Sequence, residues 1–153
     1  MTDMAKGQEE LIERLGLEPH PEGGFFREMW RSSQVLTAEA LPPQYGGWRN
    51  AGTSILYLLP SGQQSAWHRV RSDELWLFQG GDPLELAMCI DREESETSVI
   101  IGPEEGHLYQ SAVPGGWWQM ARPVEGKSGY SLVACVVVPG FDFRDFEFES
   151  EAT

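Results

Sequence analysis

Gly62-Gln-Gln-Ser-Ala-Trp-His68-Arg-Val70-Arg-Ser-Asp-Glu74-Leu-Trp76-Leu-Phe78-Gln-Gly80-Gly81 is the stretch on which the reading of this chain turns. It places a lone histidine and a carboxylate on what read as two successive strands, 65–70 and 74–79, bracketed by glycines. Alternate side chains of an extended chain point to one face. His68, Val70, Glu74, Trp76 and Phe78 share one parity. If the turn at Arg71-Ser72-Asp73 keeps that register, an imidazole and a carboxylate face inward beside aromatic rings. A polar site inside an apolar cavity is built in this way. The two strands are expected to form one wall of a barrel.

Outward from this segment, β signals dominate. Apolar runs at 24–30, 53–59, 84–90, 97–101, 107–113, 117–121 and 130–138 alternate with clusters such as Pro-Glu-Gly-Gly, Pro-Ser-Gly and Gly-Gly-Asp-Pro. Those clusters are turns, because Gly supplies positive φ and Pro presets its own. Many short strands at this spacing indicate an all-β sandwich, jelly roll or barrel. Leu11, Ile12 and Leu15 mark one short N-terminal helix at about 6–16. One helix cannot cover a doubly wound parallel sheet. Residues 31–50 read as a rim loop or lid. The tail from Phe141, alternating aromatic and charged residues, reads as an edge strand or docked turn, frayed at about 149–153. At 153 residues the chain is expected to be a single domain, 1–153.

A second segment, Val113-Pro114-Gly115-Gly116-Trp117-Trp118-Gln119, is a turn followed by a strand. In an antiparallel barrel it can bring Gln119 to His68 and Glu74 across the lumen. The two segments together resemble the cupin superfamily. Its first motif is Gly, five residues, His-x-His, three or four residues, Glu, six residues, Gly. It appears here as Gly62, His68, Val70, Glu74 and Gly81. The second, Pro-x-Gly-x-x-His, appears as Pro114, Gly116 and Gln119. Strings such as His20-Pro-Glu-Gly-Gly-Phe-Phe-Arg27-Glu28 and Pro114-Gly-Gly-Trp-Trp-Gln119 resemble a small cupin family long catalogued as a domain of unknown function. The resemblance implies a double-stranded β-helix jelly roll and a homodimer. A more distant similarity, Gly24-Phe25-Phe26-Arg27-Glu28, is to the sugar-nucleotide 3,5-epimerases, which remove a proton beside a keto group.

Three chemistries are open to these residues. Transition metals want three or four good ligands. Here only His68 and Glu74 qualify, with Gln119 a weak amide donor, so no cofactor is firmly expected and a divalent ion would be weakly held. In metal-free acid–base work, His68 with Glu74, or with Asp73 if the turn differs, would be the catalytic pair, because imidazole titrates near neutrality and a carboxylate tunes it. Tyr57, Tyr109 or Tyr130 would be the acid. Binding without turnover is the third reading, with Gln119, Glu28, Trp76, Phe78 and Arg69 as ligand-binding residues. Of Arg27 and Glu28, which point to opposite faces of a strand, Glu28 is the one expected to face inward. The ligand expected is a small polar metabolite, neutral or anionic, such as a sugar or nucleotide-sugar derivative.

A formal charge of −13 with no Lys/Arg cluster opposes binding to phosphate backbones, so nucleic acid is not an expected partner. No apolar run approaches the ~20 residues needed to span a bilayer, and no leader-like N-terminus is seen. A cytoplasmic protein without a membrane partner is expected. Cys89 and Cys135 lie in apolar runs and read as buried thiols.

Overall fold

The computed structural model describes residues 3–149. The expected fraying lies, beyond Glu149, outside the described residues. Helix α1 (Asp3–Leu15) precedes β1 (Glu18–Pro19), β2 (Phe25–Arg31), β3 (Val35–Leu36), β4 (Arg49–Asn50) and β5 (Thr53–Pro60). Then come β6 (His68–Val70), β7 (Asp73–Gly81), β8 (Leu84–Cys89) and β9 (Thr97–Ile101). The last strands are β10 (Gln110–Val113), β11 (Trp118–Pro123), β12 (Tyr130–Val138) and β13 (Phe146–Phe148). Short 3-10 turns at Ala38–Ala40, Pro43–Tyr45 and Phe143–Asp145 complete the chain. The paired strands run antiparallel in a six-stranded sheet, β1-β2-β5-β12-β7-β10, and a five-stranded sheet, β13-β6-β11-β8-β9. This is the expected all-β jelly roll with one short N-terminal helix.

One expectation fails at the deciding segment. β6 and β7 belong to different sheets, so they do not form one wall. The turn at Arg71-Ser72 carries the chain from the small sheet to the large one. Parity survives the crossing: His68, Val70 and Glu74 are all buried, as is Trp76.

The larger sheet is apolar on both faces, for two different reasons. Ile55, Tyr57 and Leu59 of β5 point into the lumen, where they meet Trp76, Leu86, Val133 and Cys135. Leu56 and Leu58 point outward under α1, beside Leu11, Ile12 and Leu15. Covering that face removes apolar area worth roughly 25 cal/mol per Å² from water. The helix therefore exists to cap β2, β5 and β12, and it starts earlier than the sequence pattern indicates. The inner cluster plugs one end of the roll and leaves the other open.

Two local irregularities shape the open end. β2 carries a bulge, since Glu28 pairs with Ile55 while Trp30 pairs with Ser54, leaving Met29 without a partner. One extra residue resets parity, so Glu28 and Arg31 end on the same side. The second is a buried ion pair. Arg49 binds Asp145 through Nε and Nη2, each at 2.8 Å, and both side chains are 2% exposed. Arg49 also donates to the Tyr45 and Trp48 carbonyls at 2.8 Å, and the backbone N–H of Arg71 donates to the Asp145 carbonyl at 3.2 Å. The rim stretch 31–50, the β6–β7 turn and the C-terminal segment are thus fastened together.

Breaking one side of such a pair leaves an uncompensated buried charge. Asp145→Asn is expected to lower stability by about 3 kcal/mol or more. Urea unfolding measures it, and a loss below ~1 kcal/mol would show that the pair does not hold the rim.

Candidate functional site

The open end of the roll encloses a cavity of about 570 Å³, within the range usual for small-molecule sites. His68 of the small sheet and Glu74 of the large one both line it, and so does Glu28. His20 and Glu22, from the β1–β2 turn, complete its inner polar group.

Glu22 is the residue that sequence reasoning missed, because it lies in Pro21-Glu22-Gly23-Gly24, which reads as a mere turn. Gly23 and Gly24 have φ of 104° and 74°, and a Cβ on Gly24 would stand 2.6 Å from the Leu58 carbonyl oxygen. Only glycine lets the hairpin lie this close to β5. The turn is closed by Gly23 N–H to the His20 carbonyl at 3.0 Å and tied to the small sheet by Ala66 N–H to the Glu22 carbonyl at 2.8 Å. Its outcome is a buried carboxylate whose Oε2 stands 2.8 Å from His68 Nε2.

The state of His68 follows from its neighbours. Nδ1 lies 2.8 Å from the Ala66 carbonyl, which can only accept, so Nδ1 carries a proton. Burial works against a second proton, but the Glu22 carboxylate, with Glu74 adding to it, outweighs burial and holds the pKa at about 9. Burial would equally raise Glu22, yet His68 brings that carboxyl below its ordinary range. The pair is an imidazolium–carboxylate at neutral pH. Phe146 stacks on the ring at 5.3 Å. Both ring nitrogens are engaged, Nδ1 by the Ala66 carbonyl and Nε2 by Glu22, so His68 is not hydrogen-bonded to Glu74.

Glu74 has a different environment. Its Oε1 accepts from Gln119 Nε2 at 2.8 Å, and Gln119 Oε1 accepts from the Trp76 indole N–H at 2.8 Å. The indole donates only, so the amide cannot flip without losing both bonds. Burial pushes Glu74 up to about 7, the negative charge of Glu22 adds to this, and His68 with the Gln119 N–H opposes it. Glu74 therefore changes protonation near neutral pH. His20 is held below its ordinary value by burial, so its ring is uncharged at neutrality.

The remaining sequence expectations sort clearly. Gln119 and Trp76 are buried behind Glu74 and position it without lining the cavity. Phe78 packs against the inner core, because successive inward positions of β7 run down into the plugged end. Arg69 lies on the outer face, binding Glu147 at 2.7 Å with its guanidinium 4.5 Å from the Trp118 ring; its parity is opposite to that of His68. Arg27 likewise points out, donating to the Leu15 carbonyl at 3.2 Å. No tyrosine lines the cavity: Tyr57 lies beneath it and donates to the Gly23 carbonyl at 2.6 Å, Tyr109 is 68% exposed, and Tyr130 packs near α1. Cys89 and Cys135 are buried free thiols, and Cys135 borders the cavity.

A metal at His68, Glu74 and Gln119 does not fit this donor set. Val70 offers no donor, His68 has no free nitrogen, and the Gln119 oxygen is occupied by the indole. Among the described residues, no three His, Cys, Asp or Glu side chains are grouped to hold a metal ion. Among the described residues, no helix is long and apolar enough to cross a membrane.

Comparison with known proteins agrees with this architecture. An uncharacterized protein of Saccharomyces cerevisiae is 30% identical over 158 residues, which cover 97% of this chain and 78% of that protein. A hypothetical protein from Leishmania major has 38% identity and a TM-score of 0.82, covering 93% of this chain and 86% of that one. A Shewanella oneidensis protein has 37% identity and a TM-score of 0.76, covering 93% and 84%. Oxalate decarboxylase from Bacillus subtilis, 14% identical with a TM-score of 0.57 over 85% of this chain and 29% of that one, shares the fold alone. The family described as Cupin superfamily (DUF985) matches residues 9–149. On that match and on its jelly-roll architecture, this chain belongs to the cupin superfamily.

Proposed function

We propose that the chain binds a small, sugar-sized carbonyl metabolite in the open end of the jelly roll and exchanges a proton with it beside that carbonyl, as isomerases and epimerases do. One observation carries the reading: two proton-bearing units, Glu74 from one sheet and the Glu22–His68 pair from the hairpin and the other sheet, border a single cavity. Ionised Glu74 takes the proton from the carbon next to the carbonyl. The Glu22–His68 pair supplies a proton to the oxygen as charge develops there, ending as carboxylate and neutral imidazole. Glu74 ends neutral, the ligand becomes an enol, and the reverse transfers restore both groups. The Gly24–Glu28 similarity to sugar-nucleotide epimerases supports this reaction type, whereas the outward course of Arg27 and Arg69 gives a nucleotide phosphate no support.

A second reading, ligand binding without turnover, is favoured by the aromatic mouth, where Trp48 is 55% and Phe143 58% exposed. The two separate in deuterated water. Incubated with a panel of carbonyl compounds, the protein is expected to exchange deuterium into an acidic C–H position, with a rate loss of ~100-fold or more in Glu74→Gln. His68→Ala should lose a similar amount. A ligand that binds but shows no exchange would sink the catalytic reading.

The exchange rate should rise as Glu74 ionises near pH 7 and fall as His68 loses its proton near pH 9, giving a bell between them. A sigmoid with a single inflection would remove one partner.

Stability gives a separate check. Glu74 has a folded pKa of about 7 against an ordinary 4.5, so the native state keeps this proton longer than the unfolded chain does. Its contribution is full below pH 4.5 and is lost as pH rises to about 7. Glu74→Gln removes that decline and is expected to be more stable than the parent at pH 8 by about 1–3 kcal/mol. Denaturant unfolding at pH 5 and pH 8 measures it, and equal stability of the two proteins at pH 8 would contradict the assignment.

A further inference from the structure

We infer that the cavity takes an uncharged ligand with one polar head and an apolar body, and that it excludes anions. This narrows the ligand class of the proton-transfer site and rests on that reading of the cavity.

The charges at the cavity decide the first half. Among the described residues, only His68 and Arg31 bring a cation to its lining, since the His20 ring is uncharged. His68 is matched by Glu22. Arg31 donates from Nη2 to Glu28 at 2.6 Å and from Nε to the same oxygen at 3.0 Å. Its Nη1 goes to Asn50 Oδ1 at 2.9 Å, and Nη2 also reaches the Phe141 carbonyl at 3.1 Å. The guanidinium fastens the mouth and has little left for a ligand. Glu74, 7% exposed, is hydrogen-bonded to Gln119, and the positive charge that acts on it, His68, is already matched by Glu22. A phosphate or carboxylate entering here would find no free counter-charge and, with Glu74 ionised, a carboxylate beside it.

The distribution of polar groups decides the second half. Glu22, His68 and Glu74 are sealed at the inner end, 7%, 1% and 7% exposed. Glu28 and Arg31 lie at the mouth, with side chains 42% and 39% exposed. The walls include Phe26, Ile55, Val70, Val137 and Phe146. Such walls give partners for one polar group at depth, while a ring hydroxylated all round would leave hydroxyls unbonded. Phe146 and Phe26, which lie against His68 and His20, offer flat surfaces to a ring.

Benzamide and benzoate test this directly, being planar, nearly isosteric and different in charge. Titrated by protein chemical-shift NMR at pH 7.5, benzamide is expected to shift cavity resonances and bind ~30-fold tighter than benzoate or better, by the cost of an unpaired anion. Glu28→Gln, a change at the exposed mouth, should release Arg31 and improve benzoate relative to benzamide by about threefold or more. Equal or tighter binding of benzoate to the parent, binding of neither at millimolar concentration, or no gain of benzoate relative to benzamide in Glu28→Gln would overturn the inference. Failure of deuterium exchange with the benzamide preference intact would remove the chemistry and leave the ligand class standing. Equal binding of the two probes with exchange intact would do the reverse.

Discussion

A guanidinium and a carboxylate, both almost sealed from water, join three pieces of chain that no sheet would otherwise bring together. Arg49 comes from the rim, Asp145 from the C-terminal segment, and the β6–β7 turn contributes the Arg71 N–H. Burying two charges is costly, and the geometry has to repay it with further hydrogen bonds. Here the Tyr45 and Trp48 carbonyls supply them. Everything about the cavity follows from this fastening. β13 is held where it can pair with β6, which carries His68, and Phe146 is held against the imidazole. Without the pair, the open end would have a floor and no mouth.

Inside the mouth, two carboxylates of the same type take opposite roles because their partners differ. Glu22 faces an imidazole with a fixed Nδ1 proton and remains ionised. Glu74 has an amide and a thiol as its hydrogen-bond neighbours, and burial, against the pull of His68, keeps its proton until near neutrality. The difference is set from behind the cavity, by an indole that orients an amide. Trp76 and Gln119 touch no ligand volume, yet they decide which oxygen of Glu74 stays free.

Much of this was legible from parity. The inward set of His68, Val70, Glu74 and Trp76 could be read because a period of two survives any turn that keeps register, and the motif spacing located Gln119. What escaped had physical causes. Parity says which face a residue takes but not how deep it lies, so Phe78 went to the core. It also does not say which sheet receives the next strand, so one wall became two. Glu22 escaped because a Gly-Gly turn looks the same whether it faces water or a lumen, and Arg31 because a bulge leaves no mark in the composition. Arg69 was assigned by charge, against its own parity.

That bulge has a consequence for how the sequence can change. Met29 is 53% exposed and contributes no side chain to the cavity, so its chemical identity matters little. The bulge absorbs it, so Glu28 and Arg31 share a face as they would two apart in a regular strand. Deleting Met29 would remove the bulge, leave Glu28, Trp30 and Arg31 opposite Ile55, Ser54 and Thr53, and keep the arginine on the side of Glu28. Position 29 is free to vary in kind and can be lost altogether.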